Sequence, residues 1–389
     1  MYKIQTLNKI STHGLELFPR DRYEIASEIV NPDAVVVRSF SMIDMDIPQS
    51  VMAVARAGAG VNNIPVDKCT ERGIVVFNTP GANANGVKEL VLAGLFMSSR
   101  RLVPGLMWAK GLIGKGDEVP RLVEKGKSDF AGPEIKGKRL GVIGLGSIGV
   151  MVANDAVELG MKVSGYDPFM SVETAWKMSR GVKWAKGVEN LLAESDYITL
   201  HVPLTDKTKG MINKERFAIM KKGTRILNFA RGGLVNNSDL IEALADGTVG
   251  AYVTDFPDEN LLKQENVIAF PHLGASTPEA EDNCAVMAVN QTKDFLELGN
   301  IKNSVNFPDC ELHFNGQTRI VIANKNIPNM VGQVTGVLAA DSINISNLLN
   351  KNKGELAYNI IDVDGELAES AVDKIRAING VIMVRVIRR

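Results

Sequence analysis

Short, continuous runs of apolar and β-branched residues recur along most of the chain, and longer segments of mixed polarity separate them. Runs of this length predict buried strands, and they lie at Ala34–Val37, Ile74–Phe77, Leu140–Ile143, Lys162–Ser164, Tyr197–Leu200, Arg225–Leu227 and Val267–Ala269. Between some of them the apolar positions repeat about every 3.6 residues, which predicts helices over Val87–Ser99 and Ile148–Leu159. Buried strands that alternate with helices are typical of a parallel α/β protein.

The pattern changes after residue 303. Residues 304–316 are rich in Pro, Asn and Gly, which predicts a linker. Strand-like and helix-like runs then follow in the order Thr318–Ala323, Met330–Ala340, Leu356–Val363, Ala368–Ile378 and Val384–Ile387. A βαββαβ unit, which is a ferredoxin-like arrangement, fits this order. We therefore expect a separate C-terminal module over residues 317–389.

Length and composition narrow the class of protein. A chain of 389 residues suggests two or three domains, and 45% hydrophobic with 23% charged residues is typical of a soluble globular protein. The net charge of −1 gives no general attraction to nucleic acid or to an anionic membrane. Three cysteines without a C-x-x-C pair argue against a disulfide framework and favour the cytoplasm. No signal peptide, membrane span or metal site is predicted.

A glycine-rich turn is the strongest local motif. The apolar strand that starts at residue 139 runs into Gly144-x-Gly146-x-x-Gly149, and a helix pattern follows. The first glycine permits a tight turn, the second admits a pyrophosphate, and the third lets helix and strand pack closely. Asp167 ends the next strand, 23 residues after Gly144, where a carboxylate accepts hydrogen bonds from ribose hydroxyls and repels a 2′-phosphate. The motif therefore predicts a dinucleotide site that prefers NAD to NADP.

The glycine turn lies far from the N-terminus, so a region of comparable size precedes it. Parallel-strand signals in that region imply a second α/β lobe, with the active site between the lobes. We expect a cofactor domain over residues 99–286. The substrate domain would comprise residues 1–98 and a returning helix over 287–303.

Hydride transfer to or from a hydroxy acid also needs a proton carrier and a cation for the substrate carboxylate. Of the four histidines, His13 and His313 lie in polar segments and are expected to be solvated. His201 follows a strand, where a capping role is as plausible as direct chemistry. His272 ends a strand beside small residues, and we predict that it is the acid/base.

Two further groups complete the predicted chemistry. Arg231 ends an apolar strand and precedes two glycines, which suits a group that holds a substrate carboxylate and carbonyl. A carboxylate bonded to the other imidazole nitrogen would raise the histidine pKa and fix its tautomer. Glu259 and Asp258 both compete for that role, and the sequence leaves the choice open.

These pieces together resemble the D-2-hydroxyacid dehydrogenase family. The resemblance covers nearly the whole chain, and its motifs are Arg56-Ala-Gly-Ala-Gly-Val-Asn-Asn63, Asn78-Thr-Pro-Gly-Ala-Asn83, the glycine turn, Asn228-Phe-Ala-Arg-Gly-Gly233 and Pro271-His-Leu-Gly-Ala-Ser-Thr277. It implies a Rossmann-type cofactor domain inserted in a flavodoxin-like substrate domain. The family's catalytic Arg and His match Arg231 and His272, and its Glu matches Glu259 when its phenylalanine is aligned to Phe256. In that alignment Thr254 replaces the family's aspartate, Asp255 moves to the next position, and no proline follows the glutamate.

The resemblance also implies binding residues. The residues expected at the cofactor are Gly144, Gly146, Ser147, Ile148, Gly149, Asp167, His201, Val202, Pro203, Thr208, Phe229, Ala230, Arg231, Asp255, His272, Gly274 and Ala275. Those expected at the substrate are Arg38, Ser39, Ala59, Gly60, Val61 and Asn83.

Within the family, the chain is most similar to the branch that oxidises 3-phospho-D-glycerate to 3-phosphohydroxypyruvate, the first step of phosphorylated L-serine biosynthesis. In that branch an Arg-Ser pair faces the phosphate, and Arg38-Ser39 matches it. The nearest alternative is another 2-hydroxyacid dehydrogenase, acting on glyoxylate, hydroxypyruvate or 2-oxoglutarate. A third is an NADH-sensing binding protein related to corepressors, against which the intact Arg231/His272 pair argues.

The C-terminal seventy residues resemble an ACT domain, a small-ligand module that pairs with a second copy. The resemblance implies an amino-acid effector, L-serine, with Asn326 and Asn344 as candidate ligands. It also implies a homodimer through the cofactor domain, or a homotetramer if the modules pair as well. Asn329 replaces a family glycine at the helix entry, where asparagine tolerates the left-handed conformation.

Overall fold

The computed structural model of the chain describes residues 1–388, which divide into two compact units. One unit contains residues 1–83 and the segment that starts at Pro278, and the other is Ala84–Thr277. These boundaries differ from the expected ones at residues 98 and 286. The helix that starts at Ala84 belongs to the second unit because its apolar face packs into that unit's core. The C-terminal module packs into the first unit instead of standing apart.

The first unit begins with a five-stranded parallel sheet. Its elements are β1 (Tyr2–Leu7), α1 (Thr12–Leu15), β2 (Tyr23–Ala26), β3 (Ala34–Val37), β4 (Ala53–Arg56), α2 (Val66–Glu71) and β5 (Val75–Phe77). The strand order is β2-β1-β3-β4-β5, and every pair is parallel. This is the flavodoxin-like order, so the predicted architecture of this domain is confirmed.

The second unit is built on a seven-stranded parallel sheet. Its elements are α3 (Ala84–Ser99), α4 (Leu102–Lys110), α5 (Val119–Gly126), β6 (Arg139–Ile143), α6 (Ser147–Glu158), β7 (Lys162–Tyr166), α7 (Val172–Trp176), β8 (Lys183–Trp184), α8 (Val188–Glu194), β9 (Tyr197–Leu200), α9 (Lys214–Ala218), β10 (Thr224–Asn228), α10 (Asn237–Ala245), β11 (Val249–Thr254), α11 (Glu259–Leu262) and β12 (Val267–Ala269). Short 3-10 helices at Gly116–Glu118 and Lys127–Phe130 flank α5.

The strand order in the second unit is β12-β11-β10-β9-β6-β7-β8. The order reverses between β6 and β9, whose last residues, Ile143 and Leu200, lie side by side. A reversal of this kind opens a crevice at the carboxyl ends of the two strands, where ligands bind in such sheets. The Rossmann-type prediction is confirmed. No single helix in residues 1–388 is long and apolar enough to cross a bilayer, and α3 with α4 passes such a test only as a pair bent by 73°.

Helix α12 (Pro278–Leu298) returns the chain to the first unit. Its buried residues include Cys284, Ala285 and Ala288, which join the core beneath the five-stranded sheet. The helix approaches α1 so closely that a Cβ at Gly14 would lie 2.6 Å from the carbonyl carbon of Ala285. Small residues on both helices therefore set the distance between them.

The C-terminal module has a four-stranded antiparallel sheet and two helices. Its elements are β13 (Thr318–Lys325), α13 (Met330–Ala340), β14 (Ile345–Lys353), β15 (Leu356–Val363), α14 (Glu369–Arg376) and β16 (Val381–Arg388). The strand order β14-β15-β13-β16 confirms the ferredoxin-like prediction. Alternate residues of β13 face opposite sides: Ile320 and Ile322 pack under the two helices, and Val321 and Ala323 pack on the core of the first unit.

Three polar side chains on that inner face bind carbonyl groups at the end of α12. Arg319 Nη1 donates to Leu298 O at 2.8 Å, Tyr358 Oη donates to Gly299 O at 2.9 Å, and Arg385 Nη2 donates to Phe295 O. The last carbonyls of a helix lack intrahelical partners and carry negative partial charge, which cations stabilise. The module therefore caps α12. Arg319 is itself fully buried and makes a bidentate pair with Asp362.

Candidate active site

The glycine turn lies at the strand-order reversal of the second unit. Gly144 has a φ of +92°, and a Cβ there would lie 2.6 Å from the carbonyl oxygen of His201. A Cβ at Gly149 would lie 2.0 Å from the carbonyl oxygen of Gly144. Both positions therefore exclude any other residue. Gly146 is different, because a Cβ there would enter open space, and so its smallness keeps room for a ligand.

The start of α6 offers main-chain donors beside this turn. Gly146 is the N-cap residue, and within the described chain no side chain caps the helix. Unpaired N–H groups and the helix dipole at such an end favour an anion. Asp167, after β7, is held close by: its carboxylate oxygens accept from the main-chain N–H groups of Leu145 and Phe169, each at 2.8 Å. These features fit the pyrophosphate and ribose of a dinucleotide, as predicted for Gly146, Ser147, Ile148 and Asp167.

His201 follows β9 on the other side of the reversal. Its main-chain N–H donates to Ile143 O at 2.7 Å, and its Nε2 lies 2.9 Å from Thr199 Oγ1. Burial lowers the pKa of this imidazole to about 3, so the ring is neutral at neutral pH. Its buried Nδ1 has no hydrogen-bond partner in residues 1–388. A neutral imidazole with an unpaired ring nitrogen beside the glycine turn is suited to a hydrogen bond with a polar group of the cofactor. It is not suited to proton transfer.

The side chains of other residues predicted on this side hold the surrounding structure together. Thr208 Oγ1 donates to Pro203 O at 2.6 Å and so closes the turn after β9. Val202 packs on the core beside the glycine turn. Phe229 is buried against Phe270, with ring centroids 5.9 Å apart. For Phe229 the main chain, and not the ring, remains for the cofactor.

Arg231 extends from the end of β10, and a buried asparagine shapes its loop. Asn228 Nδ2 donates to Arg231 O at 2.9 Å, while Asn228 Oδ1 accepts from Ala230 N at 3.2 Å. The Arg231 side chain is exposed, and its Nη1 donates to Ala230 O at 2.7 Å. The guanidinium therefore keeps donors for a carboxylate.

His272 stands in an unusual main-chain conformation. Its φ is +55°, in the left-handed region that residues other than glycine rarely adopt. The carboxylate of Asp255, which is 2% exposed, accepts from Leu273 N and Gly274 N, both at 2.8 Å. The ring of Phe256 lies against the imidazole, with centroids 4.9 Å apart. Asp255 is predicted to contact the cofactor, and in the structure its two oxygens hold the loop that carries His272.

The structure does not bring the predicted acid partner to His272. Glu259 begins α11, is 85% exposed, and pairs with Lys263 at 2.8 Å. Asp258 caps the same helix by accepting from Leu261 N, and its other oxygen accepts from Asn237 Nδ2. Those hydrogen bonds lower the Asp258 pKa. Across the described residues, neither acid makes a hydrogen bond to the imidazole.

The predicted substrate residues lie in the first unit, after neighbouring strands of the parallel sheet. Arg38 and Ser39 follow β3, Ala59, Gly60 and Val61 follow β4, and Asn83 follows β5. The carboxyl ends of adjacent parallel strands share one edge of a sheet, so the topology gathers these segments. Asn78 Nδ2 fixes the loop after β4 by donating to Ala59 O at 2.5 Å.

Arg38 is already paired. Its Nη2 lies 2.7 Å from Glu281 Oε1 on α12, with both side chains about two-fifths exposed. Its main-chain carbonyl accepts from Arg56 Nε at 3.0 Å, and Arg56 Nη1 also donates to Gly60 O. The sequence analysis did not predict that Arg56 links the loops after β3 and β4. Its position at the end of β4, inside the motif of residues 56–63, could have indicated this role.

The two candidate effector ligands in the C-terminal module are both engaged. Asn326 Nδ2 donates to Gly354 O at 3.1 Å, and Asn344 Nδ2 donates to Asp364 Oδ2 at 2.6 Å. Asn329 has a φ of +66°, the left-handed conformation expected from its match to a glycine. The two asparagines thus stabilise loops, and the oxygen of each amide remains for a ligand.

Comparison with known proteins agrees with this geometry. Residues 106–274 match the family model for the NAD binding domain of D-isomer specific 2-hydroxyacid dehydrogenases. The D-3-phosphoglycerate dehydrogenase of Methanocaldococcus jannaschii is 36% identical over 362 residues, which cover 91% of this chain and 64% of that protein. The human D-3-phosphoglycerate dehydrogenase is 35% identical over 76% of this chain and 55% of its own length. The chain therefore spans less than two thirds of these relatives.

A solved structure gives the same result. The NAD⁺-bound 3-phosphoglycerate dehydrogenase of Entamoeba histolytica matches 78% of this chain and 98% of its own, with a TM-score of 0.58 and 28% identity. Sequence similarity to the family covers the glycine turn, Arg231 and His272. Residues 106–274 therefore belong to the D-isomer specific 2-hydroxyacid dehydrogenase family as its NAD binding domain, and the similarity to D-3-phosphoglycerate dehydrogenases extends over as much as 91% of the chain.

Proposed function

We propose that the chain is an NAD-dependent dehydrogenase that oxidises 3-phospho-D-glycerate to 3-phosphohydroxypyruvate, the first step of phosphorylated L-serine biosynthesis. The observation that carries the proposal is that an exposed Arg231 and a His272 loop held in the left-handed conformation by buried Asp255 follow β10 and β12, at the same edge of one parallel sheet. The two relatives from Methanocaldococcus jannaschii and human, both D-3-phosphoglycerate dehydrogenases, support the choice of substrate. A cytoplasmic location follows from this role as part of the proposal.

The chain's own residues supply proton transfer and orientation, while bound NAD supplies the hydride acceptor. An imidazole nitrogen of His272 takes the proton of the C2 hydroxyl as that carbon is oxidised, and returns it in the reverse direction. Arg231 binds the carboxylate through its guanidinium N–H groups and polarises the forming carbonyl. His272 and Arg231 thus stabilise the charge that develops on the substrate in the transition state. Such electrostatic stabilisation is usually the largest contribution to catalysis.

Glu259 is the better candidate of the two acids for supporting His272. Both oxygens of Asp258 accept hydrogen bonds that hold α11 and its neighbour, so moving Asp258 would uncap a helix. Glu259 makes an exposed pair with Lys263, four residues along the same helix. Such pairs contribute only ~0.3–0.5 kcal/mol, so Glu259 is readily released to bind the imidazole.

The decisive experiment is NADH oxidation with three keto acids. Initial rates are compared for 3-phosphohydroxypyruvate, unphosphorylated hydroxypyruvate and 2-oxoglutarate. A preference for the phosphorylated acid above ~100-fold, about 2.7 kcal/mol in transition-state binding, would support a phosphate site at Arg38. Equal rates would leave the dehydrogenase chemistry in place and remove the phosphorylated substrate from the proposal.

One observation favours a second candidate. Arg38 is paired with Glu281, and a phosphate would have to displace that carboxylate. If the pair persists during turnover, the substrate is an unphosphorylated 2-hydroxy acid whose oxidised form is a 2-oxo acid such as glyoxylate, hydroxypyruvate or 2-oxoglutarate. The same rate comparison separates the two candidates.

We also propose that L-serine binds the C-terminal module at Asn326 and Asn344. The amide oxygen of each residue retains acceptor capacity for an ammonium group while its nitrogen holds a loop. An inhibition assay with L-serine tests this idea, and the Asn326→Ala/Asn344→Ala variant is its control. Unchanged rates at all L-serine concentrations would remove it.

Assembly is proposed to be a homodimer, or a homotetramer if the modules also pair. Every residue of α4 is at least partly exposed, and Leu106 and Met107 are 63% and 67% exposed. Ile113, after the helix, adds to this apolar surface of the cofactor domain. Exposed apolar patches of this kind mark protein interfaces. Light scattering of the wild type and of Leu106→Glu tests whether this surface holds two copies together.

A further inference from the structure

A cavity of about 480 Å³ opens beside α12 in the first unit. Among the described residues, those that line this cavity include none that we assigned above to the cofactor or the substrate. Its apolar side comprises Ala82, Val286 and Met287. Its polar side includes Asn290 and Asp294, which lie four residues apart on one face of α12. Volumes of this order, with apolar walls and a few convergent polar groups, are typical of small-molecule sites.

A buried amide belongs to the wall of this cavity. Gln291 lines the cavity and is only 6% exposed. Its Nε2 and Oε1 are both buried, and neither has a hydrogen-bond partner among the residues that the structure covers. Leaving a buried polar group unpaired is costly, so such groups need an explanation. A ligand that accepts from one end of the amide and donates to the other would satisfy it.

The charges around the cavity favour a cation. Asp294 and Glu311 line it, and Lys302 is its one basic residue in the described chain. Lys302 lies 3.8 Å from Glu311, beyond hydrogen-bond distance. Burial raises the pKa of Asp294, and the negative charge of Glu311 raises it further. An ammonium group between the two carboxylates would relieve both effects.

The C-terminal module contacts one wall residue of this cavity from outside. Asn300, in its wall, accepts from Leu312 N at 3.1 Å and from Arg319 Nη1 at 3.5 Å. Arg319 is the buried arginine that binds the end of α12. The module therefore holds one residue of the wall in place, although the wall itself comes from α12 and the segments around residues 81–82 and 300–311.

We propose that this cavity binds a small polar metabolite that carries a primary ammonium group. Asp294 and Glu311 receive the ammonium group, and the Gln291 amide pairs with a neighbouring hydroxyl or carboxylate. Lys302 gives a zwitterion an additional partner. The proposal goes beyond the dehydrogenase reaction and does not depend on it.

The test measures equilibrium binding to the full chain by calorimetry and thermal unfolding. The probes are ethanolamine, putrescine and L-serine, which carry the ammonium group in an amino alcohol, a diamine and an amino acid. Choline serves as the cation without N–H donors. We expect at least one primary amine to bind with a Kd near or below ~1 mM, and choline not to bind. Failure of all three amines would overturn the proposal.

Variants locate the binding. Asp294→Asn keeps the size of the side chain and removes its charge, so it should weaken amine binding at least about tenfold, ~1.4 kcal/mol. Gln291→Met removes the unpaired amide, so it should weaken binding while the ligand-free protein unfolds at the same or a higher temperature. If the wild-type affinity persists in both variants, or Gln291→Met is strongly destabilised, the proposal is wrong. If the Asn326→Ala/Asn344→Ala variant alone loses binding, the amine binds the module instead. Because no readout measures turnover, failure here leaves the proposed reaction untouched.

Discussion

The carboxylate of Asp255 accepts from Gly274 N at 2.8 Å and so holds the loop that presents His272. Leu273 N donates to the other oxygen, and Asp255 itself is buried. A left-handed non-glycine residue costs of order 1–3 kcal/mol and persists only when its surroundings fix it. We therefore regard Asp255 as a positioning residue that acts through His272.

Replacing Asp255 by asparagine tests this relationship. One amide oxygen accepts where two carboxylate oxygens did, so Leu273 N or Gly274 N loses its partner, at ~1–3 kcal/mol. We expect kcat to fall about tenfold or more with a changed pH profile. A merely structural role would lower the unfolding temperature and leave the pH profile of the remaining activity unchanged.

Replacing His272 by alanine should lower kcat by ~10²–10⁴-fold, the usual contribution of a general acid/base. NADH binding, followed by fluorescence, should change little. His13→Ala is the matched control, because that histidine is exposed and pairs with Asp282. Loss of NADH binding in His272→Ala would contradict its assignment to proton transfer.

The two competing acids can be separated by isosteric variants. Glu259→Gln should lower kcat and alter its pH dependence, because the partner of the imidazole is lost. Asp258→Asn keeps a side-chain oxygen for the N-cap of α11, so both stability and kcat should stay nearly unchanged. The reverse result would assign the imidazole partner to Asp258.

His201 predicts a pH dependence of stability. Its pKa is about 3 in the folded chain and near 6.5 when solvated, so between these values the unfolded state binds the extra proton. Stability is therefore lost as the pH falls from about 6.5 towards 3, by up to ~1.36 kcal/mol per pH unit. Urea unfolding at several pH values should show a shallower slope for His201→Asn. The exposed His313→Asn variant should keep the wild-type slope.

The buried pair of Arg319 and Asp362 predicts a marked asymmetry between single and double variants. Arg319→Leu leaves the Asp362 carboxylate buried without its partner and should cost ~3–5 kcal/mol of unfolding free energy. Arg319→Leu/Asp362→Leu removes both charges and should recover much of that loss. Chemical denaturation measures both, and equal destabilisation would show that the loss comes from uncapping α12 and not from the stranded charge.

Local chemistry made the cofactor side of the site predictable. A tight turn requires glycine at position 144, and a close main-chain approach requires it at position 149. The end of a strand places the carboxylate of Asp167 beside the turn. Each requirement can therefore be recognised from the residue type in the sequence. The hydrogen bonds by which Asp255 holds the His272 loop were not predicted, because their donors lie 18 and 19 residues later in the chain. Sequence spacing does not reveal which acids of a loop are buried.

The strand runs were predictable where both faces are apolar, as in Ala34–Val37 and Tyr197–Leu200. Strand β14 was not assigned, because asparagine and lysine dominate a strand whose residues are partly or fully exposed. The attachment of the C-terminal module was also missed. Its inner face contains Arg319, Tyr358 and Arg385, which a sequence pattern cannot distinguish from surface residues.

Burial of the inner face of the C-terminal sheet restricts how two copies of the chain can associate. One face of the sheet packs on the first unit and the other lies under α13 and α14, so neither face is free for stacking. Direct contact between two such sheets is then limited to their outer strands, β14 and β16. Strand β14 ends in Lys351 and Lys353, charges that discourage indiscriminate edge association. An assembly that joins the two sheets must therefore extend one of them sideways, with the register of the outer strand deciding which copies fit.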